Sequence, residues 1–451
     1  MKASIATLIL FFGLMHFQLE AQVSINSPFT RFGIGFTDQA FNPRTSAMGG
    51  AGVALASDFN LQLNNPASFS FMKETTFQGG FYSKRSSLEN KGSSQNFWGG
   101  QIGELGFGFK RTQSKWGFAM GLRPESQVGY KFENSSVLND STTATYSYSG
   151  EGGFSNYSLG LSRVFLFHTD SAKLNTHSIS IGANFNYRFG SILRIDRVNF
   201  NNSTIYNSKV TNRIIVNDAN PTFGLLYNFP LFQRKDKGKV LKSTMGTLAA
   251  TYEITNNCGI ELQDLRQLTR NVSGVEVLSA TILDSTNENL SIEIPFKLEF
   301  GASIRHEFKK SGALVISANY RTQNWLNSGN SLIQVSNQSF HQSKYSGIGM
   351  EFQPNTSGVR NKILGLGLYR IGAYDHHLYF GINNAQVRIQ GLTAGAQFPL
   401  TASKTASSIY FSLEFSRVNP AISEIKETSI SGQLGFVLRP FEKWFLRRKY
   451  D

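Results

Sequence analysis

Ile181-Gly182-Ala183-Asn184-Phe185-Asn186-Tyr187-Arg188-Phe189 decides how this chain folds. Ile181, Ala183, Phe185, Tyr187 and Phe189 occupy alternate positions, with Gly182, Asn184, Asn186 and Arg188 between them. Side chains alternate faces along a strand, so this stretch has one apolar and one polar face. Phe296 to Ile304 repeats the pattern: Phe296, Leu298, Phe300, Ala302 and Ile304 oppose Lys297, Glu299, Gly301 and Ser303. Trp116 to Leu122, Ile409 to Ser416 and Leu434 to Leu438 do the same. Such strands suit a closed barrel in lipid, with hydrocarbon outside, a polar lumen inside and no unpaired edge. A secreted sandwich also alternates but hides its aromatic face against a second sheet. Counting segments of spanning length predicts an all-β, transmembrane antiparallel barrel of about fourteen strands.

Working outward, the first 21 residues read as a secretory signal peptide. Lys2 is its basic start, Ala3 to Leu14 its short apolar run, and Leu19-Glu20-Ala21 its cleavage region, with the cut after about Ala21. No later segment has the ~18 consecutive apolar residues of a membrane-spanning helix, so any crossing must use strands. Gly 42, Phe 38 and Tyr 16 are high and charged residues are only 16%, as barrels require. The formal charge is +14, and loss of Lys2 and Glu20 with the signal leaves it unchanged. The basic residues are scattered, which points to anionic lipid headgroups and not to nucleic acid.

Residues 22–72 have a different texture, rich in Gly, Asn, Ser and Phe and poor in alternation. They read as a compact plug, or hatch, inside the lumen, followed by the barrel over 73–440 and a basic, aromatic periplasmic tail over 441–451. The long polar stretches Glu125 to Gly153, Asn256 to Asn289 and Leu326 to Tyr345 are expected as external loops, and Arg194 to Asn217 as a protruding hairpin.

Catalytic machinery is not legible. His168, His177, His306, His341, His376 and His377 are scattered, and the neighbours His376 and His377 point to opposite faces of a strand. Cys258 is the single cysteine and can close no intramolecular disulfide. Gly49-Gly50-Ala51-Gly52 lacks the spacing and the strand-to-helix setting of a nucleotide loop; close packing of irregular backbone explains it better. The reading is therefore of a protein that is not an enzyme and that has no cofactor, no metal site and no catalytic residues.

The run Arg44-Thr45-Ser46-Ala47-Met48-Gly49-Gly50-Ala51-Gly52-Val53-Ala54, then Asp58, then Asn65-Pro66-Ala67, resembles the FadL-type outer-membrane transport proteins. That resemblance implies a fourteen-stranded barrel in the bacterial outer membrane, plugged by an amino-terminal hatch. It also implies passive uptake of hydrophobic small molecules such as long-chain fatty acids. In the family, the stretch matching Asn65, Pro66 and Ala67 lies near a kinked wall strand that opens sideways to lipid. An apolar pocket would bind its ligand by burying surface, worth about 25 cal/mol per Å2. Phe29, Phe32, Phe36, Phe41, Met48, Phe59 and Phe69 are the candidates for its lining. Tyr369-Arg370-Ile371-Gly372-Ala373, Gly391 to Leu400 and the ending Trp444-Phe445 resemble a divergent branch of the family that includes PorV-like barrels. This implies the alternative: a non-transporting subunit of an outer-membrane secretion or assembly complex. The partners expected are thus outer-membrane lipid, a hydrophobic ligand and other envelope proteins.

Overall fold

The computed structural model describes residues 27–37, 42–58, 60–90, 93–111, 114–138, 142–168, 176–202, 204–236, 239–272, 275–308, 312–326, 338–354, 365–400, 407–420 and 425–439. The proposed signal peptide and the proposed tail lie outside them. In chain order the strands are β1 (Phe36–Thr37), β2 (Thr76–Asn90), β3 (Ser93–Phe109), β4 (Trp116–Pro124), β5 (Ser126–Val137), β6 (Thr143–His168), β7 (Thr176–Phe200), β8 (Asn207–Asp236), β9 (Lys239–Glu253) and β10 (Asn256–Val272). Then follow β11 (Val275–Ile294), β12 (Lys297–Phe308), β13 (Gly312–Asn324), β14 (Gln338–Phe340), β15 (Gln342–Gln353), β16 (Leu368–Ile382), β17 (Ala385–Pro399), β18 (Ser408–Pro420) and β19 (Lys426–Leu438).

Fourteen of these close an antiparallel barrel, in the order β2, β3, β4, β6, β7, β8, β9, β12, β13, β15, β16, β17, β18, β19 and back to β2. Closure runs from Phe77 opposite Leu438 to Glu89 opposite Lys426. The outward side chains are those the alternation assigned to lipid: Ile181, Phe185, Phe300, Ile304, Phe411 and Leu413 are exposed, while Asn184, Asn186, Arg188 and Glu299 are buried inside. Outside the interruption between β3 and β5 described below, neighbouring wall strands bond each other's backbones, the condition for crossing lipid.

Two stretches expected as loops are strands instead. Residues 126–137 and 143–152 form β5 and the first part of β6, and residues 256–272 and 275–289 form β10 and most of β11. With the hairpin that joins β7 to β8, they build a six-stranded sheet, β5–β6–β7–β8–β10–β11, standing beyond the barrel. Their polar composition misled because a sheet in water needs no apolar outer face. In the third stretch, β14 pairs with β16, and residues 327–337 lie outside those described. The long hairpins mark this end as external and the end where β19 finishes at Leu438 as periplasmic.

The described residues from Ser27 to Met72 run inside the barrel, and the wall is cut to fit them. A Cβ on Gly182 of β7 would stand 2.5 Å from the Pro66 carbonyl carbon, and one on Gly372 of β16 would stand 2.3 Å from the Gly49 nitrogen. Gly301 faces Val53, Gly349 faces Met48, and Gly117 faces the Phe69 backbone in the same way. Gly49 and Gly50 take φ of +56° and +68°, a left-handed conformation that favours glycine. They turn the plug against β15 and β16, where the Tyr345 hydroxyl donates to the Gly49 carbonyl at 3.0 Å.

Candidate functional site

The plug is fixed by charge as well as shape. Arg44 donates twice to Glu351 on β15, at 2.9 and 2.7 Å, and Arg370 on β16 donates to the same carboxylate at 2.8 Å. All three are buried. Glu104 on β3 accepts from Asn42 at 2.9 Å and from Gln78 at 2.6 Å. On the opposite wall Arg188 reaches Glu125 and Glu253, and Lys297 reaches Glu253 at 2.7 Å. Buried charges hold only when paired, so each link resists displacement of its neighbours.

Asn65 caps a short 3-10 turn, Pro66–Phe71. Its side chain accepts from the Ala67 N–H at 3.0 Å and donates to the Val53 carbonyl at 2.8 Å. Pro66 sits where the missing N–H costs nothing. Asn65-Pro66-Ala67 packs against Gly182 of β7 and Gly224 of β8, where the ladder between the two strands is continuous.

The wall is interrupted elsewhere. β3 pairs with β4 only from Leu105 to Phe109, while its upper part, from Ser93 to Ile102, pairs with β2 alone among the described strands. β5 continues the line of β4 above Pro124 and Glu125, yet it pairs with β6 and not with β3. The plug covers the edge that β5 loses. β1 pairs Phe36 with Gln127 and Thr37 with Ser126, the Ser27 N–H donates to the Gly129 carbonyl at 2.7 Å, and the Gly129 N–H donates to Thr30 Oγ1 at 3.0 Å. Backbone groups that leave the wall ladder thus regain partners from the plug.

A cleft of about 860 Å3 lies between the parted strands. Phe29 and Phe32 of the plug line it with Phe97 of β3, Tyr130 and Phe132 of β5, and Ile382. Its volume falls within the ~300–1,000 Å3 of small-molecule pockets. Arg31 stands at its rim, with its guanidinium 4.5 Å from the Tyr148 ring centre and 5.6 Å from that of Phe132. Burial raises the Tyr130 hydroxyl above its ordinary pKa, and burial also raises the nearby Asp196 carboxyl, against the pull of Arg31 and Arg194. Below the cleft, Phe29, Ile34 and Phe36 join Val128, Phe154, Ile192, Trp325, Tyr379 and Phe380 in one buried apolar cluster. Deeper in the lumen, two cavities of about 60 and 50 Å3 are lined largely by polar side chains, among them Arg123, Glu253 and Lys297 in one and Lys84, His376 and Glu414 in the other.

The sequence-derived pocket residues therefore divide. Phe29 and Phe32 meet at the cleft. Phe36 joins the cluster beneath it. Met48 is buried against Gly349 and Gly372, and Phe69 packs with Leu61, Leu63, Met72 and Ala119. Phe41 and Phe59 lie outside the described residues. Leu88, Phe97, Tyr130, Phe132, Ile382 and Ile425 were missed. Pro124 was the available signal, because a proline donates nothing to a ladder and marks a strand edge or irregularity.

The whole chain, residues 1–451, matches the family model described as BamG. The chain belongs to the BamG family. A search of curated proteins finds no match. Among solved structures, the Ralstonia pickettii toluene transporter TbuX is similar at a TM-score of 0.54 and 13% identity, over 89% of this chain and 98% of that one. The P. putida toluene transporter TodX gives 0.53 and 14%, over 90% and 99%. A Pseudomonas aeruginosa FadL homologue gives 0.52 and 11%, over 90% and 98%. At these identities the similarity establishes the fold: this BamG-family chain has the fold of FadL-like outer-membrane barrels.

Proposed function

We propose that this BamG-family chain is a non-conducting barrel subunit of an outer-membrane protein assembly complex. The observation that carries this reading is the filled lumen. The plug sits in a glycine-lined wall, is tied to it by the Arg44–Glu351–Arg370 cluster, and lies under a close-packed apolar layer. A rigid filled barrel suits a docking platform that keeps its shape while partners work beside it. Membership of the BamG family supports the same reading. The test is purification from crosslinked cells in mild detergent, followed by mass spectrometry, together with depletion of the protein. Co-purification with envelope assembly components, and loss of other barrels from the outer membrane on depletion, is the expected result. Recovery of the barrel alone, with outer-membrane composition unchanged, would overturn it.

A second reading, uptake of hydrophobic small molecules such as long-chain fatty acids, is favoured by the cleft. Its apolar lining and its place at the wall interruption suit a greasy ligand, and Arg31 is placed to meet a carboxylate. The structurally similar TbuX and TodX are toluene transporters. Uptake of labelled fatty acid and of toluene at limiting concentration should fall when the gene is removed. Equal uptake would eliminate this second reading.

A further inference from the structure

β11 is the outer edge of the external sheet, and among the described strands it pairs only with β10. From Val275 to Ile282 every residue is exposed, so both faces of the strand are open. They carry apolar side chains: Val275, Val277, Leu278 and Ile282 are 64, 46, 54 and 62% exposed. Twenty residues at ~3.3 Å each make an edge roughly 65 Å long. Proteins usually guard such an edge with lysine, proline, bulges or short length. β11 holds neither lysine nor proline. It does carry bulges, where its register with β10 shifts between Leu268 and Thr269, Arg266 and Gln267, and Ile260 and Leu262. These leave three regular runs, Val275 to Leu278, Leu283 to Asn287 and Leu290 to Ile294, and the last is partly buried where the strand meets the barrel.

Charge selects the occupant. β11 carries Glu276, Asp284, Glu288 and Glu293 and no basic residue, although the chain as a whole is +14. Two copies of β11 laid edge to edge would bring only carboxylates together, and like charges facing across a ladder destabilise it. A strand with lysine or arginine among apolar positions would instead find both its backbone and its charges matched.

We propose that β11 receives an extended, basic segment of a partner protein as an added strand on the external face. This rests on the docking reading above and gives it a contact surface. The second copy is disfavoured by the carboxylates.

Two variants test it in the purified complex. In one, residues 264–285 are replaced by Asn-Gly, closing the hairpin between Gln263 and Thr286, which are already cross-strand partners. In the other, Glu276→Lys, Asp284→Lys and Glu288→Lys are combined in the full-length chain. Both should keep the heat-dependent gel shift of a folded barrel and lose one and the same partner by at least ~10-fold. A photo-crosslinking residue placed in turn at Glu276, Leu278, Asp284 and Thr286 should reach positions that step steadily along one lysine- or arginine-bearing stretch of that partner. If both variants keep every partner of the wild type, or the crosslinks scatter or join two copies of β11, the inference is overturned while the docking reading stands. If the wild-type barrel is recovered alone, the docking reading itself falls, and this inference with it.

Discussion

Single residues show how tightly wall and plug are matched. Gly372 has no room for a side chain, because its Cβ would meet the Met48 carbonyl carbon and the Gly49 nitrogen at 2.3 Å. Gly372→Val should therefore cost about 1–3 kcal/mol or expel this part of the plug. The measure is the fraction that keeps its compact gel mobility as temperature rises, which should fall well below wild type. Glu351 shows the same matching in charge. Glu351→Ala strands Arg44 and Arg370 in a buried site, and breaking such a site typically costs about 3–5 kcal/mol. The plug should loosen, and single-channel conductance in planar bilayers should rise above that of a wild type that is nearly closed. Unchanged conductance would mean that the plug does not depend on this cluster. None of these partnerships was readable from the motif Arg44 to Ala54, since Arg44 and Glu351 lie 307 residues apart in the chain.

At the scale of elements, the interruption between β3 and β5 organises the site. The ladder stops above Leu105 and Leu122, and β1 with the Ser27–Thr30 turn takes over the edge of β5. Phe97→Ala and Phe132→Ala together should weaken binding of an apolar fluorescent probe such as a naphthylamine dye by about ten-fold, given roughly 3 kcal/mol of lost burial and packing at most. Phe69→Ala, in a different cluster, should lower stability but leave probe affinity alone. Equal losses from the two changes would place the probe outside the cleft. The alternation of β3 and β4 was legible, yet their separation was not. A strand's own sequence does not say which neighbour it abandons, and only Pro124 hinted that a ladder ends there. The same limit made β5, β10 and β11 look like loops: polar strands in water carry little periodic signal.

At the scale of the molecule, the chain should fractionate with the outer membrane and show a heat-dependent gel shift, and mass spectrometry of the mature protein should find Gln22 at its amino terminus. A start at Met1 would mean that the export segment is kept. The sequence by itself determined the barrel. Period-two alternation fixes which side chains meet lipid, and in a membrane strands with that pattern must close on themselves to satisfy their backbones. The irregular stretch before β2 and the family resemblance carried by Arg44 to Ala67 were legible as well. Only the tertiary structure decided where the wall parts, that Phe29 and Phe32 reach the cleft while Met48 and Phe69 do not, and that an acidic edge stands exposed at the far end of the external sheet. Those features depend on contacts between segments up to hundreds of residues apart, set by barrel closure and by how the plug winds inside it. A local pattern specifies the faces of each strand, but which strand, plug residue or solvent those faces meet is fixed only when the whole ring is assembled.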